Sequence, residues 1–65
     1  MNFQVIETKR KKERLTVKEL CENAEIDRTT YYKMKKNPDS MRVSTFRKIA
    51  DALNMTDEEK MDSLA

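Results

Sequence analysis

The 65-residue chain holds at most one domain, and with 37% apolar against 40% charged residues it has material for only a small core. It contains no Gly and no His, which removes the glycine-rich phosphate loop, the dinucleotide-binding fingerprint, the imidazole base and most zinc sites, so no enzyme, cofactor or metal site is expected. The net charge of +2 conceals a basic segment, residues 28–48, where seven Lys/Arg stand against Asp39 alone, a pattern suited to a polyanionic partner.

Five helices and no strand are predicted. Phe3, Val5 and Ile6 give the apolar side of a first helix over about residues 3–14, followed by the basic run Lys9-Arg10-Lys11-Lys12. Thr16-Val17-Lys18-Glu19 reads as a capping box, in which the Thr16 hydroxyl accepts from the Glu19 amide and the Glu19 carboxylate reaches back to the Thr16 amide, with Leu15 and Leu20 as its hydrophobic staple. Val17, Leu20, Cys21 and Ala24 then keep helical spacing, predicting a helix over 17–24 with that stripe inward. Cys21 is therefore read as inert packing; being alone, it closes no internal disulfide and suits a reducing cytoplasm.

Asp27 repeats the arrangement, its carboxylate expected to cap the amides of Thr29 or Thr30, with Ile26 and Tyr31 as a second staple. The helix it opens is predicted over 28–36, with Tyr31 and Met34 inward and Arg28, Thr29, Tyr32, Lys33 and Lys36 outward. Asn37 is the expected left-handed residue at its end, and Pro38 stops it. Only Glu25, Ile26 and Asp27 separate these two helices, which makes them a helix-turn-helix. Val43, Phe46, Ile49, Ala50 and Leu53 predict a helix over 43–54 with that stripe in the core, and the box Thr56-Asp57-Glu58-Glu59 opens a last helix over 57–64, with Met61 and Leu64 on one side. Glu58 and Glu59 complement the helix dipole there. No apolar run reaches the length of a signal peptide or a membrane span.

The run from Leu15 to Met34, with Thr45-Phe46-Arg47-Lys48-Ile49-Ala50-Asp51-Ala52-Leu53 downstream, resembles the DNA-binding domains of the phage repressor and Cro (XRE-type) family over roughly residues 3–60. The resemblance implies an all-α, lambda-repressor-like fold of five helices, one domain over residues 1–65, and an ion pair from Arg10 to Glu19 tying helix 1 to helix 2. Three positions depart from the family pattern. Glu25 stands where the turn usually has Gly, so its backbone is either left-handed and strained or differently shaped. Val17 replaces a common Gln at the start of helix 2, and Lys9 takes a usual Leu position.

Such a domain is expected to regulate transcription by holding operator DNA, with the third helix in the major groove, where donors, acceptors and methyls distinguish all four base pairs. Arg28, Thr29 and Lys33 are the expected base contacts, and Tyr32 a further one against a thymine methyl or a phosphate. Thr16 with the helix 2 amides from Val17, and Lys36, Ser40, Arg42 and Ser44, are expected on phosphates, with Lys18 and Lys35 beside them. The run Lys9 to Lys12 reads equally as a solvated face or a nonspecific DNA contact. One reading helix spans few base pairs, so a homodimer on inverted half-sites is expected, with Met55, Met61 and Leu64 as a candidate dimer patch that could equally finish the monomer's own core. The location would be cytoplasmic, with no membrane or small-molecule partner. The alternative is an antitoxin- or antirepressor-like helical module whose main partner is a protein.

Overall fold

The computed structural model describes residues 1–65 and contains five helices: α1 (Phe3–Lys12), α2 (Val17–Ala24), α3 (Arg28–Lys36), α4 (Val43–Ala52) and α5 (Asp57–Leu64), with a 3-10 turn, Pro38–Ser40, leading into α4. Local chemistry starts them. In α2 the Thr16 hydroxyl accepts from the Glu19 amide at 3.1 Å while the Glu19 carboxylate accepts from the Thr16 amide at 3.0 Å, and Thr56 with Glu59 repeats this in α5 at 3.1 and 2.8 Å. Asn2, which the sequence reading left out, caps α1 by accepting from the Gln4 amide at 3.1 Å. The cap expected from Asp27 does not form: Asp27 has extended backbone but makes no side-chain bond to α3. With Thr30 rather than Glu or Gln at the third helical position, no reciprocal bond fixes its carboxylate; Tyr31 lies in the core and Ile26 packs against it, at the two staple positions.

Three helices end in one way. Arg14, Glu25 and Asn54 have φ of 58°, 57° and 53°, left-handed without being glycine. Behind α1, the Arg14 amide donates to Lys11 O at 3.0 Å and the Leu15 amide to Arg10 O at 3.1 Å; behind α2, Glu25 donates to Glu22 O and Ile26 to Cys21 O; behind α4, Asn54 donates to Asp51 O and Met55 to Ala50 O. Each pair of bonds is a Schellman motif, whose following residue is apolar and turns inward: Leu15, Ile26 and Met55 all pack on the core. The motif closes α1 at Lys12 and α4 at Ala52, two residues before the predicted ends at 14 and 54. Asn37 is not left-handed. At φ −136° and ψ 80° it takes the extended range that the ring of Pro38 imposes on its predecessor, and α3 passes into the 3-10 turn instead.

The core gathers Phe3 and Ile6 from α1, Leu20, Cys21 and Ala24 from α2, Tyr31 and Met34 from α3, Phe46, Ile49, Ala50 and Leu53 from α4, and Met55. One expectation fails here, and one left open is decided. Val43, placed in the core stripe of α4, is 71% exposed, because as the first helical residue it stands outside the ring of neighbours that buries Phe46 one turn later. Met55, offered either to the dimer patch or to the monomer's core, is 7% exposed and belongs to the core, because it is the inward residue of the last Schellman motif. In α5, Ser63 is buried, whereas Met61 and Leu64 are 72% and 56% exposed. Polar ties fasten α5 instead: the Asn2 amide donates to Ser63 O at 2.7 Å, and Lys9 lies 3.2 Å from Glu13 and 3.3 Å from Glu59.

Candidate nucleic-acid interface

The helix-turn-helix is α2, the turn at Glu25, Ile26 and Asp27, and α3. Helical periodicity splits α3 cleanly: Tyr31 and Met34 are buried, and Arg28, Thr29, Tyr32, Lys33 and Lys36 are exposed on the other side. Arg28, Lys33, Lys36 and Arg42 have no acidic partner within ion-pair distance, so their charge faces solvent uncompensated. In the basic run of α1, by contrast, Lys9 and Arg10 are nearly buried and paired, leaving only Lys11 and Lys12 in solvent.

An open cleft of about 310 Å³ runs between α3 and the start of α4, lined by Thr30, Lys33, Met34, Ser40, Met41, Arg42 and Thr45. It brings together three of the residues singled out from the sequence, Lys33, Ser40 and Arg42, and adds Thr30 and Thr45. Those two threonines carried a weak signal, each being a hydroxyl at the third position of its helix. The Ser40 hydroxyl donates to Asn37 O at 2.7 Å, which leaves its oxygen as an acceptor only.

Helix starts supply further donors. The Thr16 amide donates to Glu19 and the Thr16 hydroxyl oxygen accepts from the Glu19 amide, so the open donors at the start of α2 are the Thr16 hydroxyl proton and the amides of Val17 and Lys18. Neither Asp27 nor Arg42 caps with its side chain, which leaves the first amides of α3 and of α4, Ser44 among the latter, unpaired. Glu19 and Glu59 are held below the ordinary carboxylate range, chiefly by hydrogen bonds from the Thr16 and Thr56 backbone amides.

The expected ion pair from Arg10 to Glu19 is absent. Arg10 donates to the Glu7 carboxylate at 2.9 Å and to Leu15 O at 2.7 Å, while Glu19 is committed to Thr16. Glu7 lies one turn away on the same helix, so the pair closes without a loop between its partners. Glu7 is buried and also accepts from the Tyr31 hydroxyl, and Lys35, half exposed, stands 3.8 Å away. Burial alone pushes the Glu7 carboxyl up, but hydrogen bonds from Arg10 and Tyr31 and the charges of Arg10 and Lys35 together hold it below its ordinary value. Cys21 is buried with its thiol pushed up, first by burial, as fits a packing residue.

The model of the Cro/C1-type helix-turn-helix DNA-binding domain family matches residues 6–59, from α1 into α5, and the chain belongs to that family. It is a DNA-binding regulator by class, in a family that is typically non-enzymatic. No curated protein and no solved structure matches the chain significantly. No helix is long and apolar enough to cross a membrane.

Proposed function

We propose that the protein is a sequence-specific regulator of transcription, of phage repressor or Cro type, that occupies operator DNA in the cytoplasm with α3 in the major groove. The observation that carries this reading is the outward side of α3, where Arg28 and Lys33 stand unpaired five residues apart with Thr29 and Tyr32 between them, backed by the buried face of Tyr31 and Met34. At 1.5 Å per residue α3 is about 13 Å long, enough to lie in a groove about 12 Å wide. Arg28 forks onto the O6 and N7 of a guanine, Thr29 and Tyr32 meet neighbouring base edges, and Lys33 reads one turn further on. The Thr16 hydroxyl proton, the open amides of Val17 and Lys18 and the Lys18 side chain hold phosphates on one flank, and Lys36, Arg42 and Ser44 hold them on the other, joined by Ser40 once its hydroxyl turns from Asn37 O to the phosphate, with Lys35 at the edge.

A helix of nine residues reads too few base pairs for high specificity alone, which favours a homodimer on inverted half-sites. Its apolar surface is Met61 and Leu64 of α5, without Met55, extended by exposed Val43 across a groove that Phe46, Arg47, Ala50 and Lys60 also line. Selection of bound sequences from random duplex DNA tests the reading. A defined motif with two-fold symmetry, bound with a log-log salt slope near −0.9 per phosphate neutralised, is the expected outcome. Absence of an enriched motif, with a flat salt dependence, would point to a protein partner instead.

A further inference from the structure

A buried polar tie joins α1 to the back of the reading helix. The Tyr31 hydroxyl, fully buried, donates to the Glu7 carboxylate across 24 residues of sequence, and its ring meets Phe3 edge-on at 5.2 Å. Arg10 donates to both oxygens of the same carboxylate and to Leu15 O, so Glu7 is anchored to the end of α1 before it grips α3. Lys35 stands one turn beyond Tyr31 and 3.8 Å from the carboxylate, a second and looser hold on α3. Every buried polar side-chain atom here has a partner.

A buried ion pair is a poor source of stability, since apolar residues of the same volume often serve as well. What it adds is direction. Apolar packing on Phe3 tolerates a roll of α3 about its axis, whereas a hydrogen bond to an anchored carboxylate does not. A roll of about 15° carries a side-chain tip about 6 Å from the helix axis by about 1.5 Å, beyond the tolerance of a forked hydrogen bond to a base. We infer that Glu7, through its hydrogen bond with Tyr31, is a positioning residue that fixes the roll of α3 and thereby the sequence discrimination of Arg28 and its neighbours.

The inference rests on the DNA-binding reading above, and its test separates the two. The duplex selected by the wild-type chain and a scrambled duplex of equal length are titrated with wild type, Tyr31→Phe and Glu7→Gln, well below each melting temperature. Tyr31→Phe keeps the ring and leaves Glu7 paired with Arg10. It should leave binding to the scrambled duplex unchanged and lower the ratio of selected to scrambled affinity about fivefold or more, the loss of much of one forked base contact. Glu7→Gln breaks the ion pair yet keeps an acceptor for the hydroxyl, so it should lose more stability than Tyr31→Phe while retaining more of the ratio. An undiminished ratio in Tyr31→Phe, or ratios that fall in the order of the melting temperatures, would overturn the inference. If Glu7→Gln fails to fold, the Tyr31→Phe ratio decides alone. Failure of the wild type to discriminate any duplex would overturn the DNA-binding reading, and the inference with it.

Discussion

At φ 57° and ψ 44°, Glu25 holds a conformation that costs a residue with a Cβ about 1–2 kcal/mol, in the turn between α2 and α3. Glycine would relieve that strain but lose more chain entropy on folding, so Glu25→Gly should stabilise the fold by a net of about 0.5–1 kcal/mol, read from urea denaturation. Asn54 sits in the same conformation at less cost, and Asn54→Gly should gain little. Equal gains at the two positions would contradict this assignment of strain. The ionisable residues set a second expectation. Glu7, Glu19 and Glu59 are lowered from 4.5 in the fold, so the stability they contribute is complete above that value and is lost as pH falls below it through their folded values. Tyr31 moves the other way: burial first, then the Glu7 carboxylate, raise it well above 10.0, so its contribution is complete below 10.0 and is lost as pH rises past it. Melting temperature against pH should therefore form a plateau with an acid and an alkaline shoulder, and Tyr31→Phe should shrink the alkaline one. A melting temperature that climbs on acidification below 4.5 would be inconsistent with these shifts.

Helix starts and helix ends were not equally legible. Thr16 and Thr56 each bond within three residues of themselves, and such short-range chemistry shows in the letters as T-x-x-E. The ends of α1 and α4 were placed two residues late because the usual flag, a glycine, is absent from the chain, whereas α3 ends at Lys36 as expected, though not through a left-handed Asn37. The usable signal was the apolar residue that follows each left-handed position, Leu15, Ile26 or Met55, and it would have decided for Met55 between dimer surface and core. At Asn37 the following Pro38 outweighed the preference of Asn for the left-handed region. The two capping boxes also provide a paired experiment. Thr16→Ala and Thr56→Ala should each cost about 1 kcal/mol of stability in thermal melts. Only Thr16→Ala should in addition weaken DNA binding, because the α2 end lies on a proposed phosphate flank and the α5 end does not. Equal effects on DNA binding would remove the α2 end from the interface.

Over the whole molecule, what the sequence revealed of the candidate interface was what periodicity alone can show. A period of 3.6 residues divides α3 into a buried and an exposed side, and Tyr31 and Met34 fall on one while Arg28, Thr29, Tyr32, Lys33 and Lys36 fall on the other. Contacts between distant segments were not legible: Glu7 with Tyr31, Lys9 with Glu59, and the cleft that joins Lys33 to Arg42 each depend on how the helices pack. Packing also explains why a nearly neutral chain can present an uncompensated basic face. The cations of α1 that meet acids, Lys9 and Arg10, are consumed in holding helices together, and those of α3 and the start of α4 face solvent without partners, apart from Lys35. If α3 reads base edges through Arg28, the affinity of Arg28→Ala for the selected and the scrambled duplex shows it. Arg28→Ala should lose about 1–3 kcal/mol on the selected duplex, with relaxed preference at one base position and little change on the scrambled one, whereas Lys36→Ala should weaken both alike and reduce the salt slope by about one. Equal losses for Arg28→Ala on the two duplexes, or none on either, would contradict it.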